Sequence, residues 1–222
     1  AIHPTSGEIY LGGGTTSTDF PGTTGGAQSS SGGNYDAFVA RLSADLKTLV
    51  QATYLGGSGY DDDLVLVIRP TGGDIYLGGD TESTNFPGTT GGAQPSSGGG
   101  QDGFAARLSA DLQTLLQVTY LGGSGREDGF GLAIHPTTGD IYLGGYTEST
   151  DFPGTTGGAQ SSNSDNSGAF VARLTADLQA GPTVSSIVLA NSSPTAAASV
   201  TWTVTFSTAV TGLSASHFAL VP

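Results

Sequence analysis

The feature that most constrains this chain is an internal repeat of 66 residues. Ile9-Tyr10-Leu11-Gly12-Gly13 returns at Ile75 and again at Ile141, each time 66 positions on. Phe20-Pro21-Gly22-Thr23-Thr24-Gly25-Gly26-Ala27-Gln28 returns at Phe86 and Phe152, and Phe-x-Ala-Arg-Leu begins at Phe38, Phe104 and Phe170. Tyr54-Leu55-Gly56-Gly57-Ser58-Gly59 returns at Tyr120. Between Gly73–Ser96 and Gly139–Ser162, 21 of 24 positions are identical. A fixed period without insertions means one supersecondary unit used repeatedly, each copy needing its neighbours to bury its faces.

Each unit reads as four short strands. In the central unit they are Leu64 to Ile68, Asp74 to Gly79, Gly103 to Leu108 and Leu115 to Leu121. These runs are five to seven residues long, rich in β-branched or aromatic residues, and bounded by Gly, Pro, Asp or Ser. Ser109-Ala110-Asp111 reads as the turn of a hairpin. Apolar residues fall on both faces, as in Phe38, Ala40 and Leu42 against Ala37 and Val39. A sheet covered on both sides fits blades stacked face to face around an axis. The expected fold class is therefore all-β, built of β-propeller-type four-stranded antiparallel blades.

Composition narrows the function. Six Lys and Arg against 19 Asp and Glu leave a formal charge of −13, which repels phosphate backbones and anionic lipid. Nucleic acid is thus disfavoured as a partner, and with no run of 18 apolar residues membrane insertion is not expected. Cys is absent, so disulfides, thiolate metal sites and thiol catalysis drop out together. Met is absent too and the chain starts at Ala1, which reads as a processed or excised piece.

The run Asp-(Ala/Gly)-Phe-x-Ala-Arg-Leu, then Thr-Tyr-Leu-Gly-Gly-Ser-Gly, then Ile-Tyr-Leu-Gly-Gly-x-Thr-x-Ser-Thr-(Asp/Asn)-Phe-Pro resembles the SBBP-type bacterial β-propeller repeat. The resemblance spans about residues 1 to 178 and implies a large secreted or surface-attached protein. That family shares no catalytic residues, so the resemblance implies none here.

The array is incomplete by this reading. Ala1 aligns with Val67 and Ala133 inside a first strand, and the last unit stops after Leu178 without its Thr-Tyr-Leu-Gly-Gly strand. Propellers use about four to eight blades. Either further blades belong to a longer chain, or several chains close a ring or stack. The expected division is three partly incomplete repeats over 1–180 and a second module over 181–222. In the second, Val200, Trp202, Val204 and Phe206 alternate with threonines, between strands expected at Val184 to Leu189 and Phe218 to Val221. This tail resembles the first part of a bacterial Ig-like β-sandwich, which needs roughly 100 residues when whole.

Several clusters carry candidate chemistry. Asp61, Asp62 and Asp63 form an Asp-rich turn, with Glu127 and Asp128 at the same place one period later. Asn163 and Asp165 lie in a run of alternating oxygen side chains ending in Gly168. Hard oxygens of this kind suit Ca²⁺. The competing and favoured expectation is that they cap strands through Asx hydrogen bonds, with no cofactor. His3 and His135 share a repeat position with Arg69, a swap no metal ligand tolerates; the third histidine is His217. Arg41, Arg107 and Arg173 recur one per unit, the mark of structural pairing more than of a sialidase-like cluster.

No nucleophile elbow, dinucleotide loop, Walker loop or His-Glu-x-x-His is present. Catalysis on a propeller needs unlike residues converging from unlike blades, and here the same residues return. The distinctive element is the long loop containing Phe20-Pro21, Phe86-Pro87 and Phe152-Pro153. Loops beyond about 12–15 residues are usually functional or disordered, and near-identity across three repeats argues against disorder. Two roles were open: the phenylalanine plugs between adjacent blades, or the Thr/Gly/Gln-rich segment meets a neighbouring subunit or glycan. The expectation is a non-enzymatic scaffold, structural or adhesive, located outside the cell or on its surface as part of a layer, fibre or large surface protein. Its partners would be other copies of itself, joining by strand addition, or the missing parts of a longer chain. The alternative is a secreted propeller that binds or cleaves glycans, for which Tyr35, Tyr60 and Tyr146 are the non-repeated aromatics.

Overall fold

A computed structural model describes residues 1–163, 167–179, 184–189 and 202–206. Among these residues the chain is all-β, with antiparallel pairing throughout its sheets and no helix. It divides into two compact units, Ala1–Gln179 and Ala180–Pro222.

The first unit holds three sheets. Strands β1 (Ile9–Thr15), β2 (Asp36–Leu42) and β3 (Leu49–Leu55) form one, in that order. Strands β4 (Asp61–Ile68), β5 (Ile75–Thr81), β6 (Asp102–Leu108) and β7 (Leu115–Leu121) form the four-stranded second sheet. Strands β8 (Glu127–Ile134), β9 (Ile141–Thr147) and β10 (Gly168–Leu174) form the third, with β10 at an edge. Pairing follows the period: Tyr10 faces Arg41, Tyr76 faces Arg107, and Tyr142 faces Arg173. Ahead of β1, Ile2 bridges Ile9 as Ile68 pairs with Ile75, so Ala1 and Ile2 hold the place of a first-strand end.

The sheets bury their faces on one another. Tyr10, Ala37 and Val39 of the first sheet share a core with Ile75, Leu77 and Phe104 of the second. Tyr76 and Ala105 of the second meet Ile141 and Leu178 of the third repeat. Apolar faces on both sides of each strand are what this stacking requires. It also explains glycine in mid-strand: a Cβ on Gly78 would stand 2.6 Å from Cδ1 of Leu143, so only a bare backbone lets the neighbouring sheet approach.

Several boundaries differ from the sequence expectation: β5 covers Ile75–Thr81, not Asp74 to Gly79, β6 begins at Asp102, and the largest change is at β4. The acidic run Asp61–Asp63 is not a turn but the start of β4, and Glu127–Asp128 likewise opens β8. The ladder extends this far because Asp61, fully buried, has donors waiting: the Gly57 N–H and the Ser83 hydroxyl, each at 2.9 Å, and the Thr81 hydroxyl. Asp61 then pairs with Thr81, and the register shifts only between Asp62 and Val65.

In the second unit, β11 (Val184–Leu189) pairs antiparallel with β12 (Trp202–Phe206), Ile187 facing Val204. Thr203 and Thr205 are exposed and Val204 is half-buried, as the alternation requires. The strand expected at Phe218 to Val221, and His217, lie outside the described residues.

Candidate functional site

The long loop does two jobs, and the second repeat shows both most fully. It first clamps its own sheet. The Phe86 ring lies 4.7 Å from Phe104 and 6.5 Å from Tyr120, edge to face with the latter. The buried Tyr120 hydroxyl accepts from Phe86 N–H at 3.0 Å and donates to the Ser83 carbonyl at 2.7 Å. Farther along, the Val118 and Tyr120 amides donate to the Gly88 and Gln94 carbonyls. The loop thereby caps the outer edge of β7, whose groups would otherwise be open to another strand. The first repeat is the same: Phe20 lies 4.3 Å from Phe38, and Tyr54 bridges Phe20 N–H and the Ser17 carbonyl. Phe20, Phe86 and Phe152 each have a ring partner inside their own repeat, with Phe152 4.6 Å from Phe170, and Phe86 also belongs to the core cluster shared by the first and second sheets. Pro21, Pro87 and Pro153 follow directly; their fixed φ starts the turn that carries the chain along the edge.

The loop then takes hold of the next repeat. The turn Ser109–Thr114 closes with the Ser109 amide on the Thr114 carbonyl and sets Leu112 in the left-handed region, φ 61°. That places Leu112 fully inside the first core cluster. The Ala27 amide donates to the Leu112 carbonyl at 2.9 Å, and the Tyr10 hydroxyl to the Ala110 carbonyl at 2.6 Å. One period on, Ala93 donates to Leu178 at 3.0 Å and Tyr76 to Ala176 at 2.5 Å, with Leu178 at φ 59°. The contact is a plug and socket, made twice with the same atoms.

The Gly-Gly-Ser-Gly linkers are held from the following repeat. Ser58 N–H donates to Asn85 and Gly59 N–H to the Ser83 hydroxyl; Ser124 and Gly125 do the same to Asp151 and Ser149. Under each linker two buried carboxylates converge. Asp36 and Asp61 both crowd the place a Cβ on Gly56 would take, and Asp102 and Glu127 do the same at Gly122. Burial pushes the Asp61 carboxyl above its usual range, with Asp36 adding to the effect, while the Thr81, Gly57 and Ser83 hydrogen bonds oppose it. Asp102 is raised for the same first reason, with Glu127 acting in the same direction. Its Oδ1 is buried without a hydrogen-bond partner among the described residues.

The other residues singled out from the sequence have structural partners. Glu127 accepts from Gly123 N–H and the Thr147 hydroxyl, and Asp128 pairs with Arg126 at 3.0 Å and accepts from Gln101. Asp62 accepts from the Tyr60 hydroxyl. Asn163 donates to the Ser149 carbonyl at 3.3 Å. The Asp63 side chain, and Asp165, lie outside the described residues. No three of His, Cys, Asp or Glu gather as a metal-binding group among the described residues. His3 and His135 accept turn amides on Nδ1. Arg41, Arg107 and Arg173 pair within their own repeats with Glu8, Asp74 and Asp140. Tyr35 and Tyr60 stack on each other at 4.3 Å, and Tyr146 donates to Glu148.

At the third repeat a cavity of about 640 Å³ opens beside β10, lined in part by Ser149, Phe152, Gln160 and Phe170. Tyr54 and Tyr120 lie against the corresponding phenylalanines in the first two repeats. One period after Tyr120 the sequence has Ser186.

Tyr10, Tyr76 and Leu112 are functional positions that the sequence motifs alone do not mark out. The signal was there: Ala-Asp-Leu recurs at Ala44, Ala110 and Ala176, with leucine where a turn normally takes Gly or Asn. Compared with known proteins, the chain matches no protein-family model and no curated protein.

Proposed function

We propose that this chain is a non-enzymatic scaffold of the cell exterior, structural or adhesive, in which SBBP-like propeller blades precede the first part of an Ig-like sandwich. One observation carries the reading: the polar side chains that recur are engaged in the same way in successive repeats. Arg41, Arg107 and Arg173 meet an acid in their own repeat, and Tyr10 and Tyr76 meet the next turn. A reaction needs unlike groups around one substrate, whereas these groups fasten a stack. The net charge of −13 suits an exposed layer that resists nonspecific association. The open edge of β10, with its cavity, suits completion by a strand from a longer chain or another copy.

The test is electron microscopy of the purified chain at high concentration, together with a glycan array. Ordered fibres or layers and a blank array agree with a scaffold. Saturable binding of one glycan class, lost on Tyr60→Ala, would replace this reading with the glycan-binding one, since Tyr60 is the more exposed member of the stacked tyrosine pair.

A further inference from the structure

We propose that copies of this chain join head to tail through the same plug and socket that join its repeats, the Leu46 turn of one copy seating against Tyr142, Val171 and Ala159 of the next. The inference rests on the scaffold reading and names the partner: a second copy.

The plug is already formed. Ser43 N–H donates to the Thr48 carbonyl at 2.9 Å and Leu46 sits at φ 59°, as in the Leu112 and Leu178 turns. Those two leucines are 0% exposed, while Leu46 is 63% exposed. Leu11 tells the same story: its equivalents Leu77 and Leu143 are 0% exposed and it is 53% exposed.

The socket is formed as well, at the opposite end of the stack. Val39 and Ala105 are covered by the following repeat, at 0% and 1%; Val171, in their position, is 78% exposed. Tyr142 and Ala159 occupy the places of Tyr76 and Ala93, whose hydroxyl and amide grip the next turn. Neither the Tyr142 hydroxyl nor the Ala159 amide makes a hydrogen bond among the described residues, and the same holds for the Ala44 and Leu46 carbonyls. Apolar surface thus faces apolar surface, and two donors face two acceptors, in an arrangement the molecule makes twice internally. A flexible peptide has no preset left-handed leucine, and a glycan has no apolar plug. A contact between two different patches is heterologous, so it propagates into a ring or a filament.

Sedimentation velocity on the full 222-residue chain tests this across a concentration series, for wild type, Leu46→Asp, Val171→Asp and an equimolar mixture of the two variants. Both sites are exposed, and Asp tolerates the left-handed backbone at position 46, so each variant keeps its fold, as a circular-dichroism melt will verify. Wild type should grow in mass with concentration. Each variant alone should associate at least about tenfold more weakly, the loss expected for one apolar anchor. The mixture should stop at a one-to-one dimer, because only one plug and one socket in each pair remain intact. A wild type that stays monomeric at millimolar concentration overturns the proposal. So does association that both variants leave intact; in that case the scaffold reading stands with another contact, such as strand addition at β10.

Discussion

Leu112 and Leu46 offer a controlled pair. Both occupy the third position of an Ala-Asp-Leu turn and both hold a positive φ, 61° and 59°. Leu112 is buried in the core shared by the first two sheets, while Leu46 is exposed. Replacing either with alanine keeps the backbone strain, since alanine also has a Cβ, so the strain cancels between the two variants. What remains is packing. Truncating a buried leucine costs about 2–5 kcal/mol, whereas an exposed one costs no more than about 0.5 kcal/mol. Leu112→Ala should therefore be less stable than Leu46→Ala by about 2–5 kcal/mol. At about 2–4 °C per kcal/mol for a chain of this size, Tm should fall by on the order of 10 °C. Urea unfolding of dilute protein, followed by circular dichroism, measures the difference. Two variants within about 0.5 kcal/mol of each other would refute the idea that the leucine plug holds the repeats together.

Further outcomes follow from the same contacts. Tyr120→Phe leaves the buried Phe86 amide and Ser83 carbonyl without their shared partner and should destabilise by about 1–3 kcal/mol in a thermal melt; an unchanged melt would remove the tyrosine clamp from the account. Acid dependence should be dome-shaped. Burial raises the Asp61 and Asp102 carboxyls, so the folded form favours their protonated state, and stability is lost as pH rises from the ordinary carboxylate range through the raised values. Glu8 and Asp140 are held low by hydrogen bonds from Arg41 and Arg173, so their contribution is lost as pH falls through and below the ordinary range. Urea midpoints between about pH 3 and 8 should peak on the mildly acidic side, and a steady rise to pH 8 would contradict this assignment. EDTA should leave Tm unchanged, because protein donors already occupy Asp61 and Glu127. A chelator-induced drop that Ca²⁺ restores would instead place a cation at the Asp61–Asp63 or Asn163–Asp165 run.

Periodicity made the strands legible because it samples the same physics repeatedly. Leu115 to Leu121 was read as a strand to the residue, and the alternation around Val204 correctly separated exposed threonines from a half-buried valine. The start of β4 was misread because Asp is a turn residue unless something accepts its burial. Here it is a cup of donors made by the Gly57 N–H and by the Thr81 and Ser83 hydroxyls, from two segments, which no local window contains. The repeated loop stands out in the sequence, and of its contacts the phenylalanine anchor is the legible one. Phe86 meets Phe104 within its own sheet, while the reach to the next repeat comes from the Ala93 amide, and a backbone donor leaves no mark on residue identity. Leu112 was hidden for a related reason: its left-handed φ is a property of the turn, visible in sequence only as a leucine out of place.

One backbone-anchored contact joins successive repeats, and its two halves are exposed at Leu46 and Ala159. Residue-resolved amide hydrogen exchange tests it most directly, at Ala27, Ala93 and Ala159 in dilute and concentrated protein. Ala27 and Ala93 donate to the Leu112 and Leu178 carbonyls, while Ala159 is exposed without an acceptor among the described residues. The account predicts strong protection at Ala27 and Ala93 at every concentration. It predicts fast exchange at Ala159 in dilute solution, slowing as copies associate. Fast exchange at Ala27 and Ala93, or an Ala159 amide indifferent to concentration while the chain assembles, would contradict it.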